Sequence, residues 1–228
     1  MKRAQEIEKE RDAMGTMVEI SSVFEGIASM RIAKIKNQVM QATEFFDELW
    51  GIYTQLRVDS IFRFGRGDDT KEVLDKELFI IITAEGGFSG DIDQKLIGWM
   101  LKSYDPEKND IVVIGHHGAV QLAQKGVAFK KYFKLPEKDQ NINVKPVIRY
   151  VQQYKDTSVF YQEYVSLMVQ DVKRIKLTKA VAEQGDRAEK GDVISEKTYI
   201  FEPSTYAVVD HLERSMTEIA LSQLILDS

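Results

Sequence analysis

The amino-acid sequence predicts an α/β fold that carries a protruding antiparallel helical hairpin. Three observations predict it. Residues 1–57 contain no proline and follow heptad spacing. Two β-rich apolar runs, Leu78–Thr83 and Asp110–Gly115, are each followed by a turn and a helical pattern. A second proline-free amphipathic stretch, Ser204–Leu226, lies near the end of the sequence.

The first element is a helix from about residue 3 to residue 60. Ile35, Val39, Ala42, Phe46, Leu49, Tyr53 and Leu56 alternate in steps of four and three, a heptad seam. Ala13, Met17, Ile20, Phe24 and Ile27 form a second stretch upstream with the same spacing, offset by one residue. At about 1.5 Å per residue the helix is roughly 85 Å long, so it has to protrude or pair with another helix. Residues 58–77, polar and glycine-bearing, read as a linker. Leu78-Phe79-Ile80-Ile81-Ile82-Thr83 then reads as a strand buried on both faces. The turn Ala84–Gly90 leads into a helix over Asp91–Ser103 with Ile92, Leu96, Trp99 and Met100 inward. Asp110–Gly115 is a second strand, Gly118–Lys125 a short helix, and Lys145–Lys155 another helix, with Val147, Ile148, Val151 and Tyr154. This alternation indicates parallel strands.

The last third reads as strands over Val159–Met168 and Val172–Leu177, a polar loop over Ala182–Glu196, and a short strand over Thr198–Phe201. Ser204 is a good N-cap for the final helix, which carries Val209, Leu212, Met216, Ile219 and Leu226 on one stripe. That helix spans roughly 34 Å, matching the clean seam from Ile35 to Leu56, so the two pair antiparallel. Phe46, Leu49, Tyr53, Leu212, Met216 and Ile219 are the expected core, with Val39 further along the seam. Three parts follow: a coiled-coil helix over 1–60, an α/β domain over 61–203, and a C-terminal helix over 204–228. Residues 1–34 are left with an apolar stripe and no intramolecular partner.

The totals exclude several functions. With 31 basic and 36 acidic residues the net charge is −5, which argues against a dedicated nucleic-acid binder. Cysteine is absent, so disulfides, thiolate catalysis and thiolate metal sites are excluded. No apolar run approaches the length of a transmembrane segment, and the N-terminus lacks the apolar core of a secretory signal.

Four segments, in order and spacing, resemble the gamma subunit of F-type ATP synthases. Ile20–Arg31 (ISSVFEGIASMR) is similar to that family's first-helix stretch, close to ITKAMEMVAASK, with Ser22 and Phe24 replacing its Lys and Met. Thr83–Asp93 (TAEGGFSGDID) resembles its turn TSDRGLCGGLN, with Gly86, Ser89 and Asp91 replacing Arg, Cys and Gly. Val113–Gly118 (VIGHHG) resembles a strand and turn often written IGSKG or IGRKG, and Tyr199–Ser204 (YIFEPS) resembles the strand before the C-terminal helix. The sequence reaches Ser228 without the family's usual C-terminal signature, close to ITQELTEIVSGAA, and so reads as a truncated or divergent member.

The resemblance implies a Rossmann-like domain beside the coiled coil and a central-stalk rotor that catalyses nothing and holds no cofactor. It implies that the alpha and beta subunits of the ATPase head enclose Met17, Ile20, Phe24, Ile27, Arg31 and Lys34. It also implies that the α/β domain seats on the epsilon subunit and the membrane c-ring, at the cytoplasmic face of the cell membrane. Two other readings compete. One is a gamma-like adaptor that binds without rotating; the other is a small Rossmann-like nucleotide-binding protein.

The nucleotide reading rests on the turn containing Gly86, Gly87 and Gly90, which follows a strand and opens a helix. It lacks the full G-x-G-x-x-G pattern and a P-loop lysine, and Glu85, Asp91 and Asp93 would repel phosphate. The expected role of the three glycines is therefore a structural turn. The same three acids could hold Mg²⁺, but charging a helix N-terminus is their commoner use. His116 and His117 are adjacent, a poor spacing for one metal. Two basic clusters, Lys125, Lys130, Lys131, Lys134 and Lys173, Arg174, Lys176, Lys179, read as solvated faces or as contacts to an acidic partner. Met14, Met17, Met30 and Met40 read as seam residues, suited also to a sliding surface.

Overall fold

A computed structural model describes residues 4–56, 73–86, 90–135, 143–166, 169–185 and 205–227. The chain divides into two units, residues 1–41 and 42–228. Helix α1 (Ala4–Leu56) makes up the first unit through Gln41 and continues into the second.

The second unit is built on a five-stranded sheet of order β3-β2-β1-β4-β5. Its strands are β1 (Leu74–Ile82), β2 (Asn109–Ile114), β3 (Lys131–Phe133), β4 (Tyr154–Ser166) and β5 (Val169–Lys176). Four strands run parallel, and β5 returns antiparallel along β4. The run Leu78–Ile82 is continuously apolar because both faces are covered. Phe79 and Ile81 face helices α2 (Ile92–Ser103) and α3 (His116–Gln124), meeting Leu96, Ile97, Met100 and Leu122. Leu78, Ile80 and Ile82 face the opposite layer, where α4 (Lys145–Val151), α5 (Leu177–Gly185) and α6 (Thr205–Asp227) supply Val147, Ile148, Leu177, Leu221 and Leu224.

Several sequence expectations are corrected. β1 begins at Leu74, inside the segment read as linker, and there Lys155 pairs with Asp75 at 3.1 Å. Trp99 is not inward: it is 37% exposed and lays an edge against Phe160, 5.7 Å between ring centres. α4 stops at Val151, and Tyr154 opens β4, where its hydroxyl donates to Asp110 at 2.9 Å. β3 is three residues of an edge strand flanked by lysines, too short to show alternation. Leu177 and the beginning of the polar stretch form α5 rather than strand and loop, because Leu177 and Val181, four residues apart, are both buried. The expected strand Thr198–Phe201 and the cap at Ser204 lie outside the described residues.

The ends of β1 and β2 meet at Gly115, whose φ is 98°, a region L side chains rarely adopt. A Cβ placed there would sit 1.9 Å from the carbonyl oxygen of Thr83. Gly115→Ala is therefore expected to cost about 3 kcal/mol, from left-handed strain plus overpacking. Gly126→Ala shares a positive φ of 68° but meets nothing within 4 Å, so it is expected to cost about 1 kcal/mol. Thermal melts of the two variants check the difference.

Candidate functional site

Three surfaces hold the candidate residues. The first is the part of α1 in the first unit. Its opening turns are charged, and Arg11 pairs with Glu8 and Asp12. From Met14 to Met30 the only charged residues are Glu19 and Glu25. Met14, Met17, Val18, Ile20, Val23, Phe24, Ile27 and Met30 are between 40% and 70% exposed. At about 100° per residue they cover roughly 240° of the helix circumference, far more than the stripe a single packed face needs. Arg31 and Lys34 follow, both exposed, and Val39 is half-buried.

The second surface is the pairing of α1 with α6. Phe46, Tyr53, Leu212, Met216 and Ala220 are buried together, with Leu49, Trp50, Val209 and Ile219 partly buried around them. Two hydrogen bonds set the register. Tyr53 donates to Glu213 at 3.2 Å, and the Gln223 amide donates to Thr43 Oγ1 at 3.0 Å. A step forward on α1 is thus a step back on α6, the signature of an antiparallel pair. Val181 of α5 joins this core, a contribution the sequence reading missed.

The third lies at the carboxyl ends of the parallel strands. Gly118 N–H donates to Thr83 Oγ1 at 2.9 Å, and His117 N–H donates to the Ala84 carbonyl at 3.1 Å, stitching β1 to the β2–α3 turn. Gly86 is exposed and Gly90 has a φ of 64°, while Gly87 lies outside the described residues. The three acids of this turn have separate roles. Asp91 pairs with Lys95 at 2.9 Å and makes no side-chain cap. Glu85 accepts from the Tyr132 hydroxyl at 2.9 Å and from Leu135 N–H at 3.1 Å, tying down the edge strand. Asp93 is fully buried.

The two histidines also diverge. His116 lies edge-on to Tyr132 at 6.3 Å, whereas His117 Nδ1 is 3.0 Å from Asp93. Among the described residues no three His, Cys, Asp or Glu side chains are grouped to hold a metal. The second basic cluster is largely neutralised across the sheet: Lys173 pairs with Glu163, Arg174 with Glu77 at 2.9 Å, and Lys176 with Asp156 at 3.7 Å. Among the described residues no helix is long and apolar enough to cross a membrane.

Burial first, then the hydrogen bond and charge of Glu85, push the Tyr132 phenol up to about 12. The folded state thus favours the protonated phenol. Its contribution is fully present below the unfolded value near 10 and is lost as pH rises from there through about 12. Burial and Asp110 raise Tyr154 and Tyr104 as well, so an absorbance titration should show a late phase of several tyrosines, and Tyr132→Phe should lower its amplitude by one.

A protein-family model described as ATP synthase matches residues 3–228. No curated protein matches the chain. Among solved structures, a chain of the Euglena gracilis mitochondrial ATP synthase rotor in rotational state 1 is 14% identical, covers 86% of this chain and 82% of its own, with TM-score 0.48. A chain of the OSCP/F1/c-ring assembly of the same enzyme in rotational state 3 is 16% identical over 93% and 77%, also at 0.48. A chain of the central stalk and c-ring of the Tetrahymena thermophila mitochondrial ATP synthase is 11% identical over 86% and 91%, at 0.52. The last similarity is one of fold.

Proposed function

Because the chain belongs to the ATP synthase family, among its gamma subunits, we propose that it works as the central-stalk rotor of a rotary ATPase and carries out no chemistry itself. The observation that carries this is the stretch Met14–Met30, whose exposed apolar side chains wrap most of the helix. One groove would cover a single stripe; a ring covers all sides. The ring is the head of alpha and beta subunits, with Met17, Ile20, Phe24 and Ile27 as the apolar bearing and Arg31 and Lys34 facing acidic loops. By heptad spacing Val39 belongs to the same seam as Phe46, Leu49 and Tyr53, which with Leu212, Met216 and Ile219 make the coiled-coil core. That antiparallel pair gives the torsional stiffness that a single helix lacks.

An asymmetric shaft contacts each catalytic subunit differently. Its orientation therefore changes which nucleotide state each site favours, a coupling of binding free energies between shaft and sites. The α/β domain seats on the epsilon subunit and the c-ring, which places the chain peripherally at the cytoplasmic face of the membrane. The turn of Gly86, Gly87 and Gly90 serves the domain's structure. Purification of the tagged chain from native membranes tests membership in the complex. Recovery of alpha and beta subunits in about threefold excess is expected, and recovery of the chain alone would refute it.

A further inference from the structure

In an open α/β sheet a ligand binds outside the carboxyl ends of the strands, where successive connections diverge to opposite faces. Here that place is beside β1, which has β2 on one side and β4 on the other. The connection from β1 to β2 runs through α2 on one face, and the chain enters β4 from α4 on the other. Asp93, in the first turn of α2, stands at this point. Its Oδ1 accepts from Gln162 Nε2 on β4 at 2.6 Å and from Ala84 N–H at 3.4 Å, and its Oδ2 lies 3.0 Å from His117 Nδ1. With Asp93 taken as the acceptor, the facing His117 ring nitrogen is assigned as the donor. Three donors, from β4, α3 and the turn after β1, thus converge on one fully buried carboxylate.

We propose that the Asp93 carboxylate is the resident anion of the switch-point crevice, an internal ligand that closes the crevice to nucleotides and phosphate. The donor set of Gln162, His117 and Ala84 N–H is, in chemical class, a site for one small carboxylate. Asp93 is a positioning residue in this scheme: it ties β1, β4 and α3 together at the base of the Gly86–Gly90 turn.

The test is chemical rescue. In the full chain, Asp93→Ala is expected to lower the thermal midpoint by at least about 5 °C, for loss of a buried charged hydrogen-bond hub. Sodium formate, on the order of 100 mM, is expected to restore at least half of that loss through binding to the native state. Sodium chloride at equal ionic strength is expected to restore none, and formate to leave the parent chain unchanged. An unaltered midpoint in Asp93→Ala, or equal effects of formate and chloride, would overturn the proposal. So would stabilisation of the parent chain by ATP or inorganic phosphate. If Asp93→Ala does not fold, His117→Leu, Gln162→Leu and their combination decide the matter. Donors to one carboxylate give losses that depart from additivity, whereas strictly additive losses overturn the proposal.

Discussion

Replacing Met17, Ile20 and Phe24 together with alanine should weaken the hold of the ATPase head on this chain by at least about a hundredfold and uncouple ATP hydrolysis from rotation. These side chains are 68%, 50% and 65% exposed among the described residues. Enclosing a large apolar side chain contributes about 1.5–3 kcal/mol. Even at about 1 kcal/mol retained per truncation, three exceed two factors of ten in affinity. The isolated chain should melt within about 0.5 kcal/mol of the parent, because exposed helix positions tolerate alanine. That contrast separates an interface effect from a folding defect. Unchanged subunit recovery and unchanged coupling would sink the role assigned to this stripe.

A second large effect is expected one face away from solvent. Phe46 is fully buried between α1 and α6, with its ring 6.1 Å from that of Trp50. Phe46→Ala removes the largest fully buried side chain of that core and should cost about 3–5 kcal/mol. For a unit of this size the thermal midpoint should fall by roughly 10 °C. Its neighbour Phe45 is 53% exposed, and Phe45→Ala should change stability by no more than about 0.5 kcal/mol. Similar losses in both would mean that the seam does not face α6. A loss in Phe46→Ala also predicts slippage of the shaft under load, since the register bonds Tyr53–Glu213 and Gln223–Thr43 flank this layer.

The helical parts and the buried strands were legible because their periodicities are long and strong. Ile35–Leu56 repeats its seam over three heptads, and Leu78–Ile82 can only be covered on both faces. Short elements lacked that redundancy. β3 has three residues between lysines, and among the described side chains α5 turns inward just Leu177, Ala180 and Val181. Tyr154 sits four residues after Tyr150 in helical spacing, but its hydroxyl finds Asp110 only if it stands in β4. The Asp93 hub was less legible still. Its turn marks Asp93 as a helix-first-turn acid, whereas the partner Gln162 lies 69 residues away with no local signature. Trp99 was read by helix face alone, which gives direction but not depth of cover.

A chain that turns inside a ring can be watched turning. The sequence has no cysteine, so Lys102→Cys on the exposed last turn of α2 gives a unique attachment point for a bead. With the alpha and beta subunits of the purified complex fixed to a surface, added ATP should drive the bead one way, in three equal steps per revolution. A bead that stays fixed, or only diffuses, while the same head hydrolyses ATP would contradict the rotor assignment and leave a gamma-like adaptor in its place.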